Sequence, residues 1–264
     1  MISSNQIEQF YRQGAVTIDT PLAAEQLQAA GTALDRMLSQ TDPPRRRASQ
    51  TCSYFDEELL EIIVHPFFEE VAKAVLFSRA VRLLQTAIVT SFPETGAKFE
   101  FDQHIDMQYS WEDLHDRPSR AVCSFFLWLT DVTLDSAPLM YRPGSHLPLI
   151  EEWGRRSELS GQIPRVIGIK LEELPDFSTA EAQPLLARAG QATVLTTAMI
   201  HGASTLTGDQ ERKVFVLTFH DAGVTIGLPE QQRATKQNYD RILRQRVPAD
   251  RVHLITDHDT GDCP

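Results

Sequence analysis

The run Ala121-Val122-Cys123-Ser124-Phe125-Phe126-Leu127-Trp128-Leu129 is the most apolar stretch of the chain. A strand with one wet face alternates apolar and polar residues; this run does not, so it reads as a strand buried on both faces. Such a strand belongs in the middle of a layered fold. The neighbouring texture is β as well. Val81 to Thr90 reads as a strand, Pro93-Glu94-Thr95-Gly96 as a turn, and Phe99 to Tyr109 as an extended segment, so a hairpin is expected here. Before Val81 the pattern is helical. Ser3 or Ser4 can cap a helix carrying Ile7, Phe10 and Tyr11, with Gly14 placed to end it and a short strand at Ala15 to Ile18. Pro21 opens a second helix running to about Leu38, and Phe55 to Leu76 is a further helical region punctuated by Pro66. Short strands with helices gathered ahead of them argue for a mainly β fold, a sandwich or jelly-roll barrel with flanking α-helices.

Length fits this. Barrel folds run to roughly 200–250 residues as one unit, so the 264 residues are expected to form a single domain. Its parts are a helical portion over 1–80, a jelly-roll core over 81–222 and a C-terminal extension over 223–264. A net charge of -11 speaks against general nucleic-acid binding, which needs a basic face. One local exception is Pro43-Pro44-Arg45-Arg46-Arg47, read as a solvated loop in preference to the alternative of a substrate-anion site. Cys52, Cys123 and Cys263 form no CxxC pair, so neither a disulfide framework nor a zinc site is suggested. The N-terminus lacks the pattern of a signal peptide and no run of eighteen apolar residues occurs. A cytoplasmic protein without membrane or nucleic-acid partners is expected, a monomer or small homo-oligomer acting on a small molecule.

Chemistry is carried by separated residues. In a strand, residues two apart share a face, so His104 and Asp106 point together. They supply two of the three ligands of a two-histidine, one-carboxylate facial triad for Fe(II). Ala192 to Ile200 runs as a β-rich stretch into His201-Gly202; after the turn Thr207-Gly208-Asp209-Gln210, Arg212 to Phe219 is another strand. Read as a hairpin-like pair, these bring His201 and Arg212 near each other.

His104-x-Asp106, His201-Gly202 with Arg212 beyond it, Pro143-Gly144-Ser145-His146 between them and the opening helix-then-strand pattern together resemble the phytanoyl-CoA dioxygenase family of Fe(II)/2-oxoglutarate-dependent oxygenases. The resemblance covers roughly residues 5 to 222. It implies the double-stranded β-helix, a cupin-like jelly roll, with His104, Asp106 and His201 as iron ligands and Arg212 on the distal carboxylate of 2-oxoglutarate. A guanidinium fork suits that carboxylate better than the neighbouring Lys213 would. Implied cofactors are Fe(II), 2-oxoglutarate and O2, and the implied reaction is oxidation of a C–H bond with release of succinate and carbon dioxide. Related halogenases carry glycine or alanine at the carboxylate position, so Asp106 argues for hydroxylation or another oxidative outcome. His146 is not a ligand in the family.

Gln103, Gln108, Tyr109 and Trp111 flank the first ligands and are candidate substrate contacts. Phe126 and Trp128 share a strand face that can border the cosubstrate, with Gln85 a further candidate on the preceding strand. Residues 172 to 187 read as a polar insertion suited to a lid or subunit contact, and Asp257 to Asp262 as a frayed tail. Two other readings remain: a cupin-like metalloenzyme without 2-oxoglutarate, against which Arg212 speaks, and a non-enzymatic jelly-roll binding protein.

Overall fold

The computed structural model describes residues 2–39, 46–106, 121–154, 168–170, 178–224, 226, 228 and 230–258. Its N-terminal helix α1 (Ser4–Gln13) begins where the sequence predicts. Ser3 Oγ accepts from the Gln6 amide while Gln6 Oε1 accepts from the Ser3 amide, a reciprocal capping box. Gly14 ends the helix at φ +83°, a left-handed conformation that glycine adopts without a Cβ penalty. Strand β1 (Ala15–Asp19) follows, then α2 (Ala24–Met37), which starts three residues past the expected Pro21. After β2 (Arg47–Thr51) the expected helical region divides at Pro66 into α3 (Glu57–Ile63) and α4 (Pro66–Leu76). Proline at the first helical position costs no hydrogen bond, so it opens α4 and ends nothing but the preceding turn.

The β portion comprises β3 (Val81–Ser91), β4 (His104–Asp106), β5 (Val122–Trp128), β6 (Leu139–Tyr141), β7 (Gly168–Lys170), β8 (Gln183–Leu185), β9 (Gln191–Thr196), β10 (His201–Ala203) and β11 (Arg212–Asp221). These form two antiparallel sheets, ordered β1-β9-β5-β11-β3-β2 and β7-β4-β10-β6-β8. Helix α5 (His146–Gly154) lies between β6 and β7, and α6 (Glu230–Arg246) follows β11. Two facing antiparallel sheets with helices packed outside make the jelly roll expected from the strand pattern.

Strand β5 occupies the interior position foreseen for the apolar run, between β9 and β11. Its faces serve different cores. Cys123, Phe125 and Leu127 join Phe10, Phe68, Val71, Phe215 and Leu217 in the cluster beneath the helices, whereas Trp128 and Phe126 belong to the cluster with Leu139, Tyr141, Met199 and Val216 between the sheets.

Four expectations need correction. The 93–96 turn does not close a hairpin: β3 and β4 belong to different sheets, so the connection crosses the sandwich. Likewise β9 stops at Thr196, a turn intervenes, and His201 begins β10 in the second sheet while Arg212 begins β11 in the first. Apolar content alone cannot reveal that a chain changes sheets. The supposed insertion contains β8, the edge strand paired with β6, over part of its described residues. The tail is fastened as far as His258: Arg244 Nη2 donates to Asp257 Oδ2 at 2.8 Å and His258 Nε2 lies 2.7 Å from Asp240 Oδ2. Beyond β11 the extension is structural, because α6 buries Tyr239 and Leu243 in the helix-side core and Tyr239 bonds Thr86 at 2.9 Å.

Candidate metal centre

His104 and His201 are directly opposed partners in the β4–β10 ladder, and opposed residues of an antiparallel pair project to the same face. Their rings lie 4.7 Å apart, centroid to centroid. Asp106, two residues along, joins them. His104 Nε2 is 3.6 Å from Asp106 Oδ1, His201 Nε2 is 3.5 Å from Asp106 Oδ2, and one donor atom from each residue lies within 4.8 Å of the other two.

The surroundings hold these groups in place. His201 Nδ1 donates to the Met199 carbonyl at 2.8 Å, which leaves Nε2 with a lone pair directed at Asp106 and His104. Gly202 is required by contact: a Cβ built there would stand 1.5 Å from the Asp102 carbonyl oxygen. Pro143-Gly144-Ser145-His146 acts as a brace. Ser145 Oγ accepts from the Ile200 amide at 2.9 Å, just ahead of His201. His146 is fully buried with Nε2 3.0 Å from the Tyr11 carbonyl, tying the jelly roll to α1, and it is not part of the three-residue cluster.

Charge is distributed unevenly. Burial lowers the proton affinity of His104, and the nearby His201 lowers it further. Burial opposes ionisation of both other groups, yet the His201–Asp106 interaction prevails, raising His201 above the ordinary imidazole value and holding Asp106 below the carboxylate range. A divalent cation held by His104, Asp106 and His201 would take the place of a proton shared among them. Two imidazoles and one carboxylate in mutual reach suit iron among the transition metals, and His104 and Asp106 retain side-chain exposures of 33% and 24%, leaving one side accessible.

Arg212 sits at the opposite sheet's start, 3% exposed. It donates through Nη1 to the Ala137 carbonyl and through Nη2 to Ser91 Oγ at 3.1 Å, and its guanidinium lies 5.7 Å from the Trp128 ring centre. Burial, with Arg47 nearby, pushes its pKa down to about 10. Nε–H remains buried without an acceptor among the described residues. A carboxylate ligand would supply one.

Phe126 stacks on Trp128 with centroids 5.9 Å apart. Gln85, half-buried on β3, borders a separate recess with Thr51, Leu84 and Lys236. Gln103 adjoins His104 but its Oε1 accepts from Arg142 Nε at 2.5 Å, so only its amide NH2 is left for a ligand. Gln108, Tyr109 and Trp111 lie outside the described residues. Ser91 and the Met199 carbonyl escaped the sequence reading: Ser91 meets Arg212 only through the β3–β11 register, and a backbone carbonyl two residues before His201 carries no residue-type signature.

Fold and site together define a non-haem Fe(II)/2-oxoglutarate-dependent oxygenase. The model of the family described as phytanoyl-CoA dioxygenase (PhyH) matches residues 10–214, and the chain belongs to that family. No curated protein sequence matches it. Among solved structures, the non-heme alpha ketoglutarate dependent carbocyclase SnoK from nogalamycin biosynthesis is similar with a TM-score of 0.66 at 18% identity, covering 88% of this chain and 90% of that one. The epimerase SnoN, in complex with Fe3+, alpha ketoglutarate and nogalamycin RO, gives 0.62 at 15% identity, with 86% of each chain covered. HygX from Streptomyces hygroscopicus, with nickel and 2-oxoglutarate bound, gives 0.58 at 13% identity over 83% of this chain and 87% of its own. These likenesses concern the fold. Among the described residues no helix is long and apolar enough to cross a membrane.

Proposed function

We propose that this chain is a single-domain hydroxylase that oxidises a C–H bond of a small or medium-sized metabolite, consuming 2-oxoglutarate and dioxygen and releasing succinate and carbon dioxide. The observation that carries the reading is the convergence of three donor atoms within 4.8 Å, with the His201 tautomer set by Met199. His104 and His201 would hold Fe(II) through imidazole nitrogen and Asp106 through one carboxylate oxygen. When bound, the iron with its keto acid supplies the oxidising power that no side chain has.

The chain's own residues bind and orient. Arg212 receives the distal carboxylate of 2-oxoglutarate, satisfying its orphaned Nε–H, while Trp128 and Phe126 keep water from the guanidinium. Asp106 holds position beside both imidazoles. Gln85 and the amide of Gln103 are candidate contacts for cosubstrate and substrate, together with Gln108, Tyr109 and Trp111. Specialised biosynthesis is the favoured setting, supported by the origin of SnoK and SnoN in nogalamycin biosynthesis. A cytoplasmic protein, free of nucleic-acid partners and acting as a monomer or small homo-oligomer, fits the acidic composition.

The test is an anaerobic titration of the metal-free protein with Fe(II) and 2-oxoglutarate, followed by visible absorption. A weak charge-transfer band that appears in the wild type and is absent in His201→Ala is expected. A wild type with no band and no tight iron binding would falsify the reading and favour a jelly-roll binding protein.

A further inference from the structure

We propose, on the oxygenase reading above, that Arg47 is a second guanidinium of the keto acid site, closing over the carboxylate that Arg212 receives. Register is the starting point. Arg47 opposes Ser91 across the β2–β3 ladder, and Ser91 opposes Arg212 across the β3–β11 ladder. Opposed residues share a face, so the three form one transverse row, and the bond from Arg212 Nη2 to Ser91 Oγ at 3.1 Å shows which way it points. With strands spaced about 4.8 Å apart, the two arginine backbones stand roughly 10 Å from each other. Two such long side chains reach one small anion between them.

The electrostatics of the row are incomplete as they stand. Arg46 is paired with Glu94, but among the described residues no carboxylate oxygen comes within the 4.0 Å ion-pair distance of Arg47. Arg47 lines a cleft of about 570 Å³ together with Ser91, Phe92 and Ala203; Ala203 stands two residues after His201 and so shares its face of β10. Glu94, Glu100 and Asp102 also border this cleft, the first already held by Arg46. The charge on Arg47 lowers the proton affinity of Arg212, two strands along the same row. A dicarboxylate keto acid spanning from the metal to Arg212 brings a negative group between two unneutralised guanidiniums and meets the unpartnered Arg212 Nε–H. This gives the last arginine of the 45–47 run a role in the site, in place of a solvated loop.

Fe(II)-loaded wild type, Arg47→Ala, Arg47→Lys and Arg212→Ala proteins, titrated anaerobically with 2-oxoglutarate at low and high salt, test this by dissociation constant. Arg47→Ala is expected to bind 2-oxoglutarate about tenfold more weakly, with a shallower salt dependence than the wild type, and Arg47→Lys to recover part of the loss. Fe(II) affinity and the far-ultraviolet circular dichroism of Arg47→Ala should match the wild type, since the residue is exposed. An Arg47→Ala protein that binds 2-oxoglutarate as tightly as the wild type overturns the proposal while leaving the oxygenase reading intact. The same holds if that variant changes only the KM of the substrate to be oxidised. A wild type that binds no 2-oxoglutarate overturns both.

Discussion

The two sheets divide the labour of the molecule. In the six-stranded sheet β3 runs for 11 residues and β11 for 10, and each strand offers one face to the helices and the other to the interior. In the five-stranded sheet β4, β6, β7, β8 and β10 have 3 residues each. Long ladders and a shared core hold the first sheet. The second carries the three ligand candidates on strands too short to be stable alone, so their positions depend on braces from outside: the Ser145 hydroxyl, the Met199 carbonyl and the backbone contact at Gly202. The long ladders and the metal candidates are thus held by different sheets, and Arg212 of the first reaches toward the second through the Ala137 carbonyl just ahead of β6.

The largest expected effect tests that division. Phe125→Ala, in the helix-side core, should lower unfolding free energy by about 3–5 kcal/mol in urea titrations, whereas Asp106→Ala should lower it by about 1–2 kcal/mol and abolish tight Fe(II) binding. An Asp106→Ala protein destabilised as much as Phe125→Ala would break the comparison.

A second test is pH. His220 lies on the long strand β11, and burial pushes its imidazole down to about 4. Between the unfolded value of 6.5 and the folded value, the unfolded chain binds the proton and the folded chain does not, so stability must fall as pH drops through this window. The full loss is on the order of 3 kcal/mol. Equilibrium unfolding at pH 7 and pH 4.5 should show it in the wild type and show much less in His220→Gln; equal slopes would mean that His220 is not the titrating group.

Gly202→Ala sharpens the contrast from the other side. Its Cβ would force β10 away from Asp102, so a stability loss of about 1–3 kcal/mol is expected. Iron affinity should drop at least about tenfold. A variant that keeps wild-type iron affinity would show that β10 can shift without moving His201. The smallest effect lies at the first turn of α1: Ser3→Ala should remove about 1 kcal/mol through the lost cap, measurable as a lower thermal midpoint with iron affinity unchanged.

What the sequence by itself determined follows from local physics. Ser3, Gln6 and Gly14 mark the bounds of α1 because capping and left-handed backbone depend on neighbours a few residues apart. The apolar run at 121–129 announced an interior strand because burial on both faces forbids alternation. His104 and Asp106 could be paired in advance because a strand repeats every two residues, and the family pattern supplied His201 and Arg212. Tertiary structure alone decided which sheet each residue joins. Neither the crossing between β3 and β4 nor the turn that takes the chain from β9 into β10 leaves a periodic trace, so the expected hairpins were wrong although His104, Asp106 and His201 still converge in one cluster. The same is true of the row Arg47, Ser91 and Arg212: three residues from distant parts of the chain share one face only because two ladders set their register.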